Sequence, residues 1–200
     1  MKTFKSRWIV LAILPFFALI GHAQTAKISL KESAILVKGT SSLHDWRCKT
    51  EQFSGDISYS ANALTLKDIT AVDLQLVVKS MKSIKENGNY YEAGMDKNTY
   101  KALNADKFPK ITFVLTDISN LKAGPGKADF VAKGNLTIAG SQKPISFPAT
   151  ATLTANGIVV KGSTSFKMTS FGVTPPKALL GTIKTGDEIT IVFNASFKND

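Results

Sequence analysis

The sequence predicts an all-β domain of eight or nine antiparallel strands, closed as a barrel or stacked as a sandwich, with one short helix. Three observations carry this. From residue 27 onward apolar and polar residues alternate with a period of two, the mark of strands with one buried and one wet face. Turn signals recur at near-regular spacing, with no linker, internal repeat or low-complexity tract between them. Residues 24–200 are also long enough for one domain with its own core.

The first 23 residues stand apart. Lys2, Lys5 and Arg7 precede an unbroken apolar run, "WIVLAILPFFALI", and Gly21 and Ala23 supply the small residues of a cleavage site before Gln24. Thirteen apolar residues fall short of the roughly 20 that cross a bilayer. Residues 1–23 therefore read as a cleaved signal peptide and 24–200 as one β-barrel domain, periplasmic or secreted, with no stable membrane insertion after cleavage. The single cysteine, Cys48, lies far from the cleavage site, so it cannot carry a lipid on the new N-terminus. Nor can it form an internal disulfide, so the fold rests on its apolar core.

Of 25 basic residues three fall in the leader, leaving 22 against 15 acidic ones. Nearly all are Lys, dispersed along the chain, which reads first as a solvated surface and second as a preference for anionic partners. Nucleic acid is a poor partner for a chain with almost no Arg and no basic block.

The elements follow in order. "SSLHDWRCK" (41–49) holds the only His, Trp, Arg and Cys beyond the leader. Read as a strand, it turns His44, Trp46 and Cys48 inward and Asp45, Arg47 and Lys49 to water. "EQFSGDISY" alternates through Phe53, Gly55, Ile57 and Tyr59, and "VDLQLVV" continues the pattern. "MDKNTYKALNADKFPK" predicts a helix of about two turns, with Asp96 as N-cap, Tyr100 and Leu103 at i, i+3, and Pro109 closing it. "ITFVLTD", "KADFVAKGNLTI", "ISFPATATLT" and "EITIVFNASFK" are strands, with Phe130, Leu136, Phe147, Ala151 and Phe193 among their inward residues. Asn156-Gly157 predicts a two-residue hairpin turn, which would set Ala151 opposite Gly162 and Phe147 opposite Phe166. Pro148 predicts a bulge or an early end.

The inward face mixes Phe with Gly and Ala. An eight-stranded barrel can fill itself or hold one small ligand, and the pattern alone allows either a cavity or a packed sandwich core. Catalysis finds no support. His44 and Asp45 point oppositely, and His44 and Cys48 lie about 13 Å apart along a strand, too far to share a metal or to activate the thiol. No catalytic residue, metal ligand or cofactor is assigned.

Four stretches in order resemble the YceI-like family: "GTSSLHDW", "MDKNTYKALNADKFPKITF", "GNLTIAGSQKPISFPATATL" and "SFKMTSFGVTPPKALLGTIKTGDEITI". The resemblance implies an extended, lipocalin-like antiparallel barrel enclosing a long apolar chain such as a polyisoprenoid. It favours the cavity but does not fix the ligand. Parity then nominates His44, Trp46, Phe53, Phe130, Leu136, Phe147, Ala151, Gly162, Phe166 and Phe193 as its lining. The expected partner is a long-chain lipid or isoprenoid that is sequestered or carried, and the oligomeric state is open, a dimer included. A filled barrel docking on an anionic partner or membrane surface is the second reading. An enzyme acting on such a lipid is the weakest, for want of a nucleophile–base pair. N-terminal sequencing of the exported protein is expected to begin at Gln24, and a first residue of Met1 would overturn the leader assignment.

Overall fold

A computed structural model of the chain describes residues 23–91 and 93–199. The leader therefore lies outside the described residues, apart from Ala23. The strands are β1 (Gln24–Ile28), β2 (Ala34–Ser41), β3 (Trp46–Thr50), β4 (Phe53–Asn62), β5 (Thr65–Val77), β6 (Met81–Ile84), β7 (Lys110–Gly124), β8 (Lys127–Ile138), β9 (Ser141–Thr154), β10 (Gly157–Lys167), β11 (Lys177–Ala178) and β12 (Ile183–Asn199). The helix α1 spans Ala93–Ala102. All sheet pairings are antiparallel, in the order β1-β4-β5-β7-β8-β9-β10-β12, and β1 pairs with β12 to close a ring of eight.

Of the four extra segments, β11 pairs with β12, and the other three come from broken strands. β1 passes into β2 through a short turn at Leu30–Glu32, β3 into β4 across Glu51 and Gln52, and β5 into β6 through Val78–Ser80. Serines bridge the breaks. The Ser80 hydroxyl donates to Val77 O (2.7 Å) and accepts from Gln52 N (3.0 Å), and Ser33 Oγ accepts from Ser196 N (2.9 Å). Beyond the breaks β12 pairs with β2, β2 with β3 and β3 with β6. α1 packs along β6 on its free side. The core accordingly has two parts. Ile57, Tyr59, Leu66, Ile158 and Phe197 close one end. Val37, Val78, Met81, Phe171 and Val173 belong to the half that carries α1.

The expected alternation holds along these strands, but one register does not. β9 and β10 pair as Thr154–Gly157 and Ala151–Val160, so the turn is Ala155-Asn156, one residue earlier than expected. Gly157 is needed inside the ladder instead: its φ is +148°, and a Cβ there would lie 2.0 Å from Phe197 O on β12. The pairing slides by two residues, which preserves the faces and changes the partners. Gly162 therefore lies opposite Ala149, not Ala151. The two-residue hairpin turn with both central residues at positive φ is Ala139-Gly140, at +48° and +79°.

The helix also begins earlier than expected, at Ala93, so Asp96 is not its cap. Asp96 is buried and works sideways: Oδ1 accepts Ser83 N at 2.7 Å and Oδ2 lies 3.2 Å from Lys82 Nζ, which ties α1 to β6. Tyr100 adds a bond from its hydroxyl to Met81 O at 2.9 Å.

Gly157→Ala is expected to destabilise the barrel by about 2–3 kcal/mol through backbone strain and the clash with Phe197 O. Gly172→Ala, at φ +72° with open space around it, should cost only about 1–2 kcal/mol. Urea unfolding checks both, and equal costs would show that contact with β12 is not the reason for Gly157.

Candidate functional site: an apolar cavity inside the barrel

The inward faces leave a cavity of about 350 Å³, running from the closed end near Ile57 and Phe197 to a mouth beside α1. That is the lower end of the range for ligand pockets, roughly 300–1,000 Å³. Its wall is almost wholly apolar. β12 contributes Ile189, Ile191, Phe193 and Ala195, β5 contributes Ile69, Val72, Leu74 and Leu76, and β7 contributes Ile111, Phe113 and Leu115.

Glycines explain how so many rings fit around open space. A Cβ on Gly134 would lie 2.5 Å from the Phe113 ring, and one on Gly162 would lie 2.7 Å from Phe193 Cζ. Each ring lies over a missing side chain on the neighbouring strand. Phe147 then joins Phe113 and Phe193 at centroid distances of 5.6 Å, tilted against one and edge-on to the other, within the range favoured by aromatic pairs.

Among the residues nominated by parity, His44, Trp46, Phe130, Leu136, Phe147, Phe166 and Phe193 line this cavity. Three do not. Ala151 is buried in the packed closed end with Ile158 and Phe197. Gly162 is on the inward face, but the Phe193 ring covers it, so it does not reach the lumen. Phe53 is buried opposite Leu76, and Leu76 is the member of that pair that reaches the cavity.

The stretch 41–49 departs from the expected strand at its start. β2 ends at Ser41 and β3 begins at Trp46, so His44 sits in the connecting loop, exposed at the mouth. Ser41 builds that loop: its Oγ accepts the backbone N–H groups of Leu43 and His44, each at 3.2 Å, and donates to His44 O at 2.7 Å. The imidazole Nδ1–H donates to Asp45 O at 2.6 Å, and the ring stacks parallel to Tyr91 at 6.1 Å. Trp46 is held by its indole N–H donating to Thr40 O at 2.9 Å, with its ring over Gly39. Cys48 is 2 % exposed, and its Sγ lies 3.6 Å from Ser83 Oγ. Burial pushes its thiol above the ordinary range, against the opposing effect of hydrogen bonds from Ser83 and Thr99.

The helix contribution to the site was missed. Met95, Thr99 and Ala102 of α1 and Leu103 just beyond it line the mouth, and their i, i+4, i+7, i+8 spacing was the available signal. Leu43, 66 % exposed, and Lys177 complete the rim with His44. Among the described residues no three His, Cys, Asp or Glu side chains come together. No helix among them is long and apolar enough to cross a membrane.

Comparison with known proteins agrees with this geometry. The family model described as the YceI-like domain matches residues 27–197. A UPF0312 protein of Shewanella sp. strain W3-18-1 is 28 % identical over 146 residues, covering 70 % of this chain and 69 % of the relative. Among solved structures, Burkholderia cenocepacia BcnA superposes with a TM-score of 0.66 at 18 % identity, covering 84 % of this chain and 98 % of that one. A polyisoprenoid binding domain from Saccharophagus degradans gives 0.65 at 12 % identity, covering 90 % of this chain and all of its own.

The raised Cys48 thiol sets the sign of one pH dependence. The unfolded chain ionises this thiol above about pH 8.5 while the folded protein keeps it protonated, so its contribution to stability is lost as pH rises from there through the folded value. Urea unfolding at pH 7 and pH 10 should show a smaller alkaline loss for Cys48→Ala than for wild type, and equal losses would contradict the assignment.

Proposed function

The chain belongs to the YceI-like family, and from that premise we propose that it is an exported, non-enzymatic binding protein. It sequesters or carries a long apolar amphiphile, isoprenoid-type or fatty-acyl, inside the barrel. The observation that carries this reading is the cavity: a deep, almost wholly apolar enclosure whose polar groups gather toward its mouth. The Saccharophagus neighbour, a polyisoprenoid binding domain with the same fold, supports an isoprenoid-type guest. A barrel packed solid, the other reading of the alternation, does not fit an enclosure of this size.

The energetics suit the role. Removing about 400 Å² of apolar chain from water yields roughly 10 kcal/mol gross. Association and ordering take back several kcal/mol, on the order of 4 or more. Micromolar to sub-micromolar binding then needs no strong polar contact, and the rim can select a head group without supplying most of the affinity.

Native mass spectrometry of the protein purified from its own host tests the proposal. A stoichiometric apolar adduct is the expected result, and a stably bare chain would sink it. Ala149 lines the cavity wall, so Ala149→Phe should fill the space, at about 1–3 kcal/mol of overpacking. It should weaken the binding of retinol, a fluorescent isoprenoid alcohol, by about tenfold or more while the β-sheet circular dichroism is retained.

A further inference from the structure

Around β9 and β10 three ladders run side by side, and the middle one stops short. β8 stays paired with β9 as far as Ile138–Ser141, and β10 with β12 as far as Lys167–Glu188. Between them, β9 and β10 pair only up to Ala149–Gly162. The cause can be read from the sequence. Each strand residue points its N–H and C=O to the same side, and alternate residues address the same neighbour. Pro148 addresses β10, because its carbonyl oxygen lies 2.9 Å from where a Cβ on Gly162 would stand. Its nitrogen faces β10 too, with no proton to donate. Pro144, four residues away, has the same orientation and the same defect. Of the three donors β9 would offer opposite the rest of β10, only Ser146 carries a proton.

The cavity lies directly behind this seam. Ile145 and Phe147 line it from the β9 side, Thr164 and Phe166 from the β10 side. Outside, a groove at the foot of the seam is bordered by Pro148 and Ser163. Phe130, Ala149 and Phe193 line both the groove and the cavity, so the wall there is one side chain thick. The upper end of the seam is fixed by the turn Met168–Phe171, where Asp187 on β12 accepts Thr169 N–H at 2.9 Å and its hydroxyl at 2.6 Å.

We infer that this seam is a lateral door, through which a long apolar chain passes sideways between β9 and β10, with Phe193 as the leaf. The inference rests on reading the cavity as a lipid site. Parting these edges breaks no rung, whereas the neighbouring ladders must surrender backbone hydrogen bonds to open. Sideways passage also lets an elongated guest exchange apolar contacts along its length instead of threading end-on past Leu43 and His44.

Ser146 and Ser165 are exposed on the two edges of the seam. The pair Ser146→Cys, Ser165→Cys, bridged by oxidation or by a short bismaleimide, locks the seam without touching the lining, and buried Cys48 does not compete. Retinol fluorescence in stopped flow should show uptake and release slowed about tenfold or more by the bridge, with the Kd changed less than about threefold. Pro144→Thr with Pro148→Thr, which restores both donors, should slow both rates in the same direction. Unchanged rates in bridged protein that still binds retinol overturn the door. An unbridged protein that binds no retinol overturns the lipid reading instead.

Discussion

The ladder along β12 is the interaction on which the rest of the barrel depends. This 17-residue strand pairs on one edge with β10 along Glu188–Lys198. On its other edge it holds β2 along Thr185–Asn194 and β1 at Phe197–Asn199. It is the one strand that spans both halves of the ring while its neighbours on that edge are interrupted. Closure rests on three pairs, Ala26–Asn199, Lys27–Lys198 and Ile28–Phe197. Two lysines stand opposite each other there, and Lys198 answers by reaching Glu32 in the turn between β1 and β2. The Glu32 carboxyl is held below its usual range by that ammonium and by the Ser196 hydroxyl. The charge pair and the strand break therefore form one device: the turn at Leu30–Glu32 ends β1 and supplies the anion that makes the closing rung tolerable.

Glycine placement decides whether an eight-stranded barrel is full or hollow. Rings as large as Phe113, Phe193 and Trp46 would fill the lumen if they stood upright. Laid over Gly134, Gly162 and Gly39 on adjacent strands, they thicken the wall instead. Small residues on the inward face do not by themselves make the space, since several are occupied by a neighbour's ring. They let the aromatic surface face the lumen side-on, which gives an apolar guest a broad lining with few rotatable bonds to freeze.

Much of this was legible in the sequence because parity survives error. The hairpin after β9 is displaced by two residues from the expected register, yet every inward residue stays inward, since an even shift cannot exchange faces. Parity says nothing about height along the barrel, and that is where the site assignments failed. Ala151 faces inward at the packed end, and Phe53 faces inward but outside the cavity. His44 does reach the cavity mouth, but from a loop and not a strand: the chain leaves the strand at Ser41, whose hydroxyl closes a local turn, and alternation has no meaning across a turn. The helix itself was legible, but its cavity face was not, because Met95, Thr99 and Ala102 form a less apolar stripe than the Tyr100–Leu103 pair beside it. Pro148 was informative in sequence, for the pairing with β10 does end beside it, but only the neighbouring ladders show that β9 itself runs on.

The three strand breaks have a mechanical consequence. On one side of them the ring is continuous and its core is packed from Ala26 to Phe197. On the other, the wall is assembled from β2, β3, β6 and a helix joined to it by Asp96, Lys82 and Tyr100. The broken strands interrupt the ladder at one level, and β12, which runs through that level unbroken, carries the backbone pairing from one half to the other. The closed end is therefore the base of a cup, and its rim is the half whose wall includes the separate segments β2, β3 and β6.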